Sequence, residues 1–404
     1  MTDGEVVSLT DSELVIEMKV CITSVNEKRT PKYYMYNKST DDQHMNTFNI
    51  MENYYDLPCN IGNDQNGIPI TFDLSKIPHL LIGGAPGCGK SMVVNSIVTS
   101  LLENKTADEM KFVLIDPRKV EYEYLRTLSD SYLVASPQSG DVVISDVNDA
   151  VNVVSSLCEL MQERYDSLRL SVMPNVKEYN SAVMNGELSK EYQYMSYIVV
   201  LINDIDCLML TAGREFEMPL CKLAQLSRAT GIHLVLSSNR PSFNVFTPFI
   251  KANVPGRIAL KTLNADESRS IMDLTGAECL DDKGELICKL SNIIVKGRAH
   301  SFRYQDIQSL CERLNCATGN YSAFKLPVVK VIHHREDIER DPCFAQIARF
   351  VVENQVASIS MIPRKFCLGY YRVCRVLDQL EDSGIISSAR TVLVKDLSQI
   401  ENIV

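Results

Sequence analysis

Apolar runs of strand length alternate with helically spaced stretches from about residue 61 onward. PHLLIGG (Pro78 to Gly84), KFVLID (Lys111 to Asp116), YIVVLIND (Tyr197 to Asp204), IHLVLSSN (Ile232 to Asn239) and GRIALKT (Gly256 to Thr262) are apolar along most of their length. GIPITFDL precedes the first of them as another strand-like run. Runs that lack a polar alternate face predict strands covered on both sides. SMVVNSIVTSLLEN and FEMPLCKLAQLSRAT instead repeat their apolar residues at helical spacing. This alternation predicts an α/β fold with a parallel sheet, in one domain over residues 51–325.

The flanking segments differ. Residues 1–50 are polar and poorly periodic, and are expected to be an arm or the remnant of a preceding domain. A linker is expected over residues 326–341 and a second unit over 342–404. In that unit DPCFAQIARFVVENQ, ASISMIPRKFCLG and YYRVCRVLDQLEDSGII read as three helices, the last ending at Gly384, and RTVLVKD as a strand. Three helices and a strand form the winged-helix pattern, a variant of helix-turn-helix. No internal repeat or low-complexity tract interrupts the chain.

Composition narrows the class. The hydrophobic content of 45 % is enough for a sizeable core in a chain of 404 residues. Its apolar runs fall well short of the roughly eighteen residues of a membrane span. MTDGEVVSLTDSELV lacks a basic-then-apolar leader pattern. A cytoplasmic protein is expected, free or as the soluble part of a longer one. The thirteen cysteines form no CxxC pair and read as reduced, largely buried thiols. His333 and His334 read as part of a solvated linker rather than a metal site. A net charge of −10 argues against general nucleic-acid affinity, so any such site must rest on a few local basic groups.

The strongest chemical signal is Gly84-Ala85-Pro86-Gly87-Cys88-Gly89-Lys90-Ser91, which matches G-x-x-x-x-G-K-[ST] between a strand and a helix. Glycines let backbone N–H groups turn inward around phosphate oxygens, and the helix N-terminus adds its dipole. Lys90 neutralises the β and γ phosphates and Ser91 reaches Mg²⁺, so the nucleotide site is expected over Gly84 to Met92. Hydrolysis also needs acids at a second strand tip, where the expected Asp-Glu pair reads Asn203-Asp204. Asn203 carries no charge; Asp206 lies close enough in sequence to compensate. Asn239, at a third tip, reads as a γ-phosphate sensor or a strand-end turn residue. Arg228 reads as a surface cation or as an arginine finger reaching the next subunit.

Together these residues resemble the motor of FtsK/SpoIIIE-type DNA translocases. The resemblance runs over about residues 55–400, through FVLIDPRKVEY, LAQLSRATGIHLVLSSNRPSFNVFTPFIKANVPGRIAL and ESRSIMDLTGAECLDDKGEL to the terminal winged helix, which is similar to that family's γ domain. It implies a RecA-like P-loop ATPase that uses ATP and Mg²⁺ and works as a hexameric ring on double-stranded DNA. Asn203 and Asp204 then fall at the Walker B acids, Asn239 at the sensor and Arg228 at the finger. Arg240, Lys251 and Arg269 fall in segments facing the DNA. Ala265 stands where the family often has a basic residue, and the family's membrane domain has no counterpart here.

Within the winged-helix unit, Arg364, Lys365, Arg372 and Arg375 form a local basic face with no acid between Ala357 and Leu377. Tyr370 and Tyr371 open the same helix as Arg372 and Arg375, which share one side. Charge alone leaves this face equally a solvated surface or a DNA contact; the resemblance favours DNA. Val373, Val376, Leu377 and Leu380 are expected to be its core side. Three functions follow: an ATP-driven DNA translocase, a hydrolysis-impaired ATP- and DNA-binding ring, and a related protein pump, the last disfavoured by the winged helix.

Overall fold

β-branched and other apolar side chains fill the strands, and in the computed structural model these strands pair into one large sheet. The structure describes residues 6–10, 13–16, 55–290, 293–301, 304–317, 324–329, 341–357, 361–366, 368, 373, 376–377, 379–381, 383–387, 391–394 and 396. It divides into one unit up to Val329 and a second from Lys330, each taken here by itself.

In the first unit, an antiparallel pair, β1 (Val6–Thr10) and β2 (Glu13–Ile16), lies within the segment expected as an arm or remnant. The main sheet follows, with β3 (Pro58–Asp64), β4 (Pro69–Asp73), β5 (His79–Gly83), β6 (Met110–Ile115), β7 (Val143–Ile144), β8 (Tyr197–Ile202), β9 (Ile232–Ser238), β10 (Gly256–Leu260), β11 (Glu285–Leu290) and β12 (Ile293–Ala299). Their order is β4-β3-β12-β11-β10-β5-β9-β8-β6-β7. From β10 to β7 every pairing is parallel, whereas β11, β12, β3 and β4 extend the sheet antiparallel. The sequence pattern shows the parallel half. It leaves the antiparallel extension largely unread, because β11 and β12 are only partly buried and polar residues interrupt them.

Helices of this unit are α1 (Lys90–Asn104), α2 (Val147–Ser171), α3 (Val176–Met184), α4 (Ile205–Thr211), α5 (Arg214–Leu226), α6 (Pro248–Asn253), α7 (Ala265–Met272) and α8 (Tyr304–Ala317). The strands distribute side chains to both faces. Phe112, Leu114, Val199 and Leu201 pack with Val93, Ile97 and Leu101 of α1 on one side. Val113, Ile115, Val200 and Ile202 pack with Val154, Leu157 and Leu223 on the other. Burial on both faces is what removes the alternation from these strands. At Gly256 of β10 the Leu80 side chain of β5 fills the space a side chain would need: a Cβ there would stand 2.4 Å from Leu80 Cδ2. The chain leaves this unit along its surface: Ala135 bridges Lys325, and Leu326 is buried against the core.

The second unit contains α9 (Phe344–Asn354) and α10 (Met361–Phe366). Val373, Val376, Leu377 and Gln379 to Glu381 are helical as well. Val373, Val376, Leu377 and Leu380 are buried, as their spacing requires, against Phe344, Ile347, Val351 and Ile362. After Gly384 the chain doubles back, with Ile386 bridging Val392 and Leu393 N donating to Ile385 O at 2.9 Å.

Among the described residues, no helix is long and apolar enough to cross a membrane and no group of three or more His, Cys, Asp or Glu is arranged for a metal. His333 and His334 lie outside the described residues. The described cysteines are free, and burial pushes the thiols of Cys158, Cys288 and Cys311 up to about 11.

Two buried histidines join neighbouring strands. His79 Nδ1 accepts from Leu234 N at 3.0 Å, and His233 Nδ1 donates to Pro78 O at 3.1 Å. Burial lowers His79 to about 3 and His233 to about 4. Both therefore stay neutral in the folded chain while the unfolded chain takes up protons below about pH 6.5. Stability is complete above that pH and is lost as pH falls toward the folded values, by about 2 kcal/mol per histidine between pH 7 and 5. Thermal melts at pH 7 and 5 test this: His79→Gln and His233→Gln should each flatten the difference, and an unchanged slope in both would exclude the histidines as its source.

Candidate nucleotide site

Parallel strands bring their C-terminal tips to one edge, so the segments following β5, β6, β8 and β9 meet there. After β5 the loop Gly84 to Gly89 turns tightly into α1. Gly89 holds φ 109°, in the region where side chains are strained, and a Cβ at Gly84 would meet Cys88 Sγ at 2.7 Å. The loop is backed from two sides: Ala85 N donates to Lys261 O at 2.7 Å and Gly284 N to Cys88 O at 3.2 Å. Among the described residues the N–H groups of Gly87, Gly89, Lys90 and Ser91 have no protein acceptor, and α1 carries neither a side-chain cap nor an acid in its first turn. Unmet donors at the start of a fifteen-residue helix suit a phosphate chain.

Lys90 Nζ donates to Gly84 O at 2.9 Å and Ala85 O at 2.7 Å, and lies 3.8 Å from Cys88 Sγ. Burial lowers its pKa, opposed by Cys88 and by the Asp204 carboxylate. The ammonium is thus held at the loop, close enough to the second strand tip to feel its charge. Met92 lies on the first turn of α1, its N donating to Gly89 O at 3.0 Å.

The tip of β6 contributes more than the sequence pattern suggests. Asp116 is fully buried and accepts from Val120 N and Glu121 N, each at 2.8 Å, and from Arg118 N at 3.3 Å. The loop folded around it carries Arg118 and Glu121. Arg118 Nε reaches Asp204 Oδ2 at 2.8 Å, and Ser91 Oγ donates to Glu121 Oε1 at 2.9 Å. The sequence reading missed Asp116, Arg118 and Glu121 as site residues. Their signal was available, since three charged groups directly follow a strand that neighbours the phosphate loop.

At the tip of β8, Asn203 Nδ2 donates to Asp116 Oδ1 at 3.2 Å and Asn203 Oδ1 accepts from Ser237 Oγ at 2.8 Å. Both ends of its amide are engaged. Asp204 adopts φ 48°, is almost fully buried, and pairs with Arg118 while accepting from Asn239 Nδ2. Burial raises its carboxyl pKa, against the pull of Arg118. Asp206 accepts from Ser238 Oγ at 2.9 Å and Asn239 N at 3.3 Å. It fixes the corner that presents Asn239 and does not stand in for Asn203.

The remaining expected residues lie elsewhere. Arg228 is exposed on a short turn before β9, at the other end of the strand from Asn239. A seven-residue strand rises about 23 Å, beyond the reach of an arginine within one chain. Arg240 is exposed just after β9. Arg269 is exposed and pairs with Asp266 at 2.7 Å. Lys251 pairs with Asp273, which also binds Arg257, and donates to Arg269 O at 3.1 Å. Its charge is compensated inside the protein, unlike that of a free pore cation. In the second unit Lys365 lies 4.0 Å over the Phe350 ring. The side chain of Arg364 and all of Tyr370, Tyr371, Arg372 and Arg375 lie outside the described residues.

Sequence comparisons extend over both units. The FtsK/SpoIIIE family model matches residues 44–243 and the Ftsk gamma domain model residues 338–395. DNA translocase FtsK of Chlorobaculum tepidum is 36% identical over 368 residues, covering 85% of this chain and 44% of that protein. DNA translocase FtsK of Haemophilus influenzae is 32% identical over 362 residues, covering 82% of this chain and 66% of that protein. The chain therefore spans less than two thirds of the length of these relatives. Among solved structures, the pCW3 conjugation coupling protein TcpA, a monomer with ATPgS, matches at 26% identity and a TM-score of 0.55, covering 65% of this chain and 71% of that one. The cytoplasmic domain of the Thermomonospora curvata type VII secretion ATPase EccC shares the fold at 22% identity and a TM-score of 0.56, covering 68% of this chain and 32% of that one. A P-loop ATPase unit and a winged-helix γ domain on one chain, matched over most of its length, make it a member of the FtsK/SpoIIIE family.

Proposed function

We propose that the chain is the motor and DNA-reading part of an ATP-driven double-stranded DNA translocase that works as a hexameric ring in the cytoplasm. The observation that carries this reading is the convergence of Lys90, Ser91, Asp204 and Asn239 at one sheet edge, in a chain that also carries a γ domain. ATP binds with its phosphates on the loop from Gly84 to Met92. Ser91 and the neighbouring acids would hold a Mg²⁺ ion brought in with the nucleotide, because a site with few protein ligands relies on phosphate oxygens for the rest. Bound there, it would offset the charge of the β and γ phosphates. Asp204 orients the attacking water once its carboxylate turns away from Arg118. Asn239, hydrogen-bonded to Asp204, links the γ-phosphate position to the DNA-side loop that begins at Arg240.

Arg228 serves the site of the neighbouring copy. Arg240 and Arg269 contact DNA phosphates, and Lys251 holds the end of α7, which carries Arg269. The γ domain binds DNA through Arg364, Lys365, Tyr370, Tyr371, Arg372 and Arg375, and so orients the ring. A second reading, a ring that binds ATP and DNA but hydrolyses poorly, is favoured by one observation: Asn203 is neutral while Asp204 is held by both Arg118 and Asn239.

ATP turnover by the purified chain should rise several-fold with long duplex DNA and vanish in Lys90→Ala. Tight nucleotide binding without turnover would support the impaired ring; activity indifferent to DNA would overturn translocation. For Arg228, equal mixtures of inactive Lys90→Ala and inactive Arg228→Ala chains should regain turnover, since about a quarter of the ring interfaces then hold both groups. Mixtures as inactive as their parts would remove Arg228 from the neighbour's site.

A further inference from the structure

The metal side of the nucleotide site lacks the acid expected at position 203, yet a carboxylate stands beside Ser91. We infer that Glu121, set in place by Asp116, is the metal-positioning carboxylate of this site and supplies the charge that Asn203 lacks. This inference rests on reading the site as one for ATP with Mg²⁺.

Three features support the assignment. The first is spacing. Octahedral Mg²⁺ binds oxygen at 2.0–2.1 Å, so two adjacent ligand oxygens stand about 2.9 Å apart. Ser91 Oγ and Glu121 Oε1 are separated by 2.9 Å. The pair therefore already has the edge length that a shared ion requires, with the Ser91 hydroxyl proton holding it meanwhile.

The second feature is rigidity. Glu121 is not on a loose loop. Its own N–H and that of Val120 are bound by the buried Asp116 carboxylate, and Tyr124 OH ties the following turn to Asn95 of α1 at 2.6 Å. Hydrogen bonds thus tie the loop bearing Glu121 to the phosphate-loop helix.

The third is charge. Among the described residues Glu121 forms no ion pair, whereas Asp204 is paired with Arg118 and Asp116 is filled by three backbone N–H groups and Asn203. Asn203 also fits this arrangement for a physical reason. An aspartate there would set a second negative charge about 3 Å from the buried Asp116 carboxylate, which like charges at that spacing oppose. The amide donates to Asp116 instead, and the negative charge for the metal falls to Glu121.

Fluorescent ATP-analogue binding to the full-length chain, titrated with Mg²⁺ and repeated in EDTA, tests the inference without relying on turnover. Glu121→Gln keeps an acceptor for the Ser91 hydroxyl and loses only the charge. It should raise the half-saturating Mg²⁺ concentration about tenfold or more, as loss of a metal-positioning group does. Its affinity in EDTA should be unchanged or tighter, because a negative charge beside the triphosphate is gone. Glu121→Asp, which withdraws the carboxylate by one methylene, should fall between. An identical Mg²⁺ midpoint in wild type, Glu121→Gln and Glu121→Asp overturns the inference. A wild-type chain that binds no nucleotide, with or without Mg²⁺, instead overturns the nucleotide reading beneath it.

Discussion

A single buried carboxylate organises this site. Asp116 has no solvent to share its charge with, so every hydrogen bond it makes must come from the protein. Backbone N–H groups of its own loop meet that demand on one side and the Asn203 amide on the other. The same bonds fix the loop that bears Arg118 and Glu121 and tie the tip of β6 to that of β8. From Asn203 the connection passes to Ser237, and from Asp206 to Ser238 and Asn239, so three strand tips are held in one polar network. Such networks are costly when partly satisfied and rigid when complete.

This network explains how a neutral residue is accommodated where an acid is expected. The position of Asn203 is set by its neighbours on both sides, and its amide serves as a structural tie between strands. Negative charge lies to either side of it, on Asp204, held between Arg118 and Asn239, and on Glu121 beside Ser91. The left-handed backbone at Asp204, sparsely populated for any residue other than glycine, belongs to the same device, because it turns the carboxylate back toward the strand tips.

Away from the site, charges that look alike in the sequence do different things. Lys251 and Arg257 converge on Asp273 and hold α6, β10 and the end of α7 together, while Arg240 and Arg228 stand exposed at opposite ends of β9. The separation of Arg228 from the phosphate loop follows directly from strand length. A finger role for it therefore belongs to an assembly and not to one chain.

The sequence by itself determined the parallel strands, the phosphate loop between β5 and α1, and the core side of the γ-domain helix. Each of these rests on local patterning: unbroken apolar runs, a glycine-rich turn with lysine and serine, and apolar residues at helical spacing. The family resemblance was legible for the same reason, since its motifs lie in those segments. Only the tertiary structure decided which charged residues share the site. Asp116 and Asn203 are 87 positions apart, and Ser91 and Glu121 are 30 apart. Strand order, and not sequence distance, makes them neighbours. The antiparallel strands β11 and β12 stayed unread because they are half-exposed and mixed in polarity, so only their pairing with β10 and β3 identifies them.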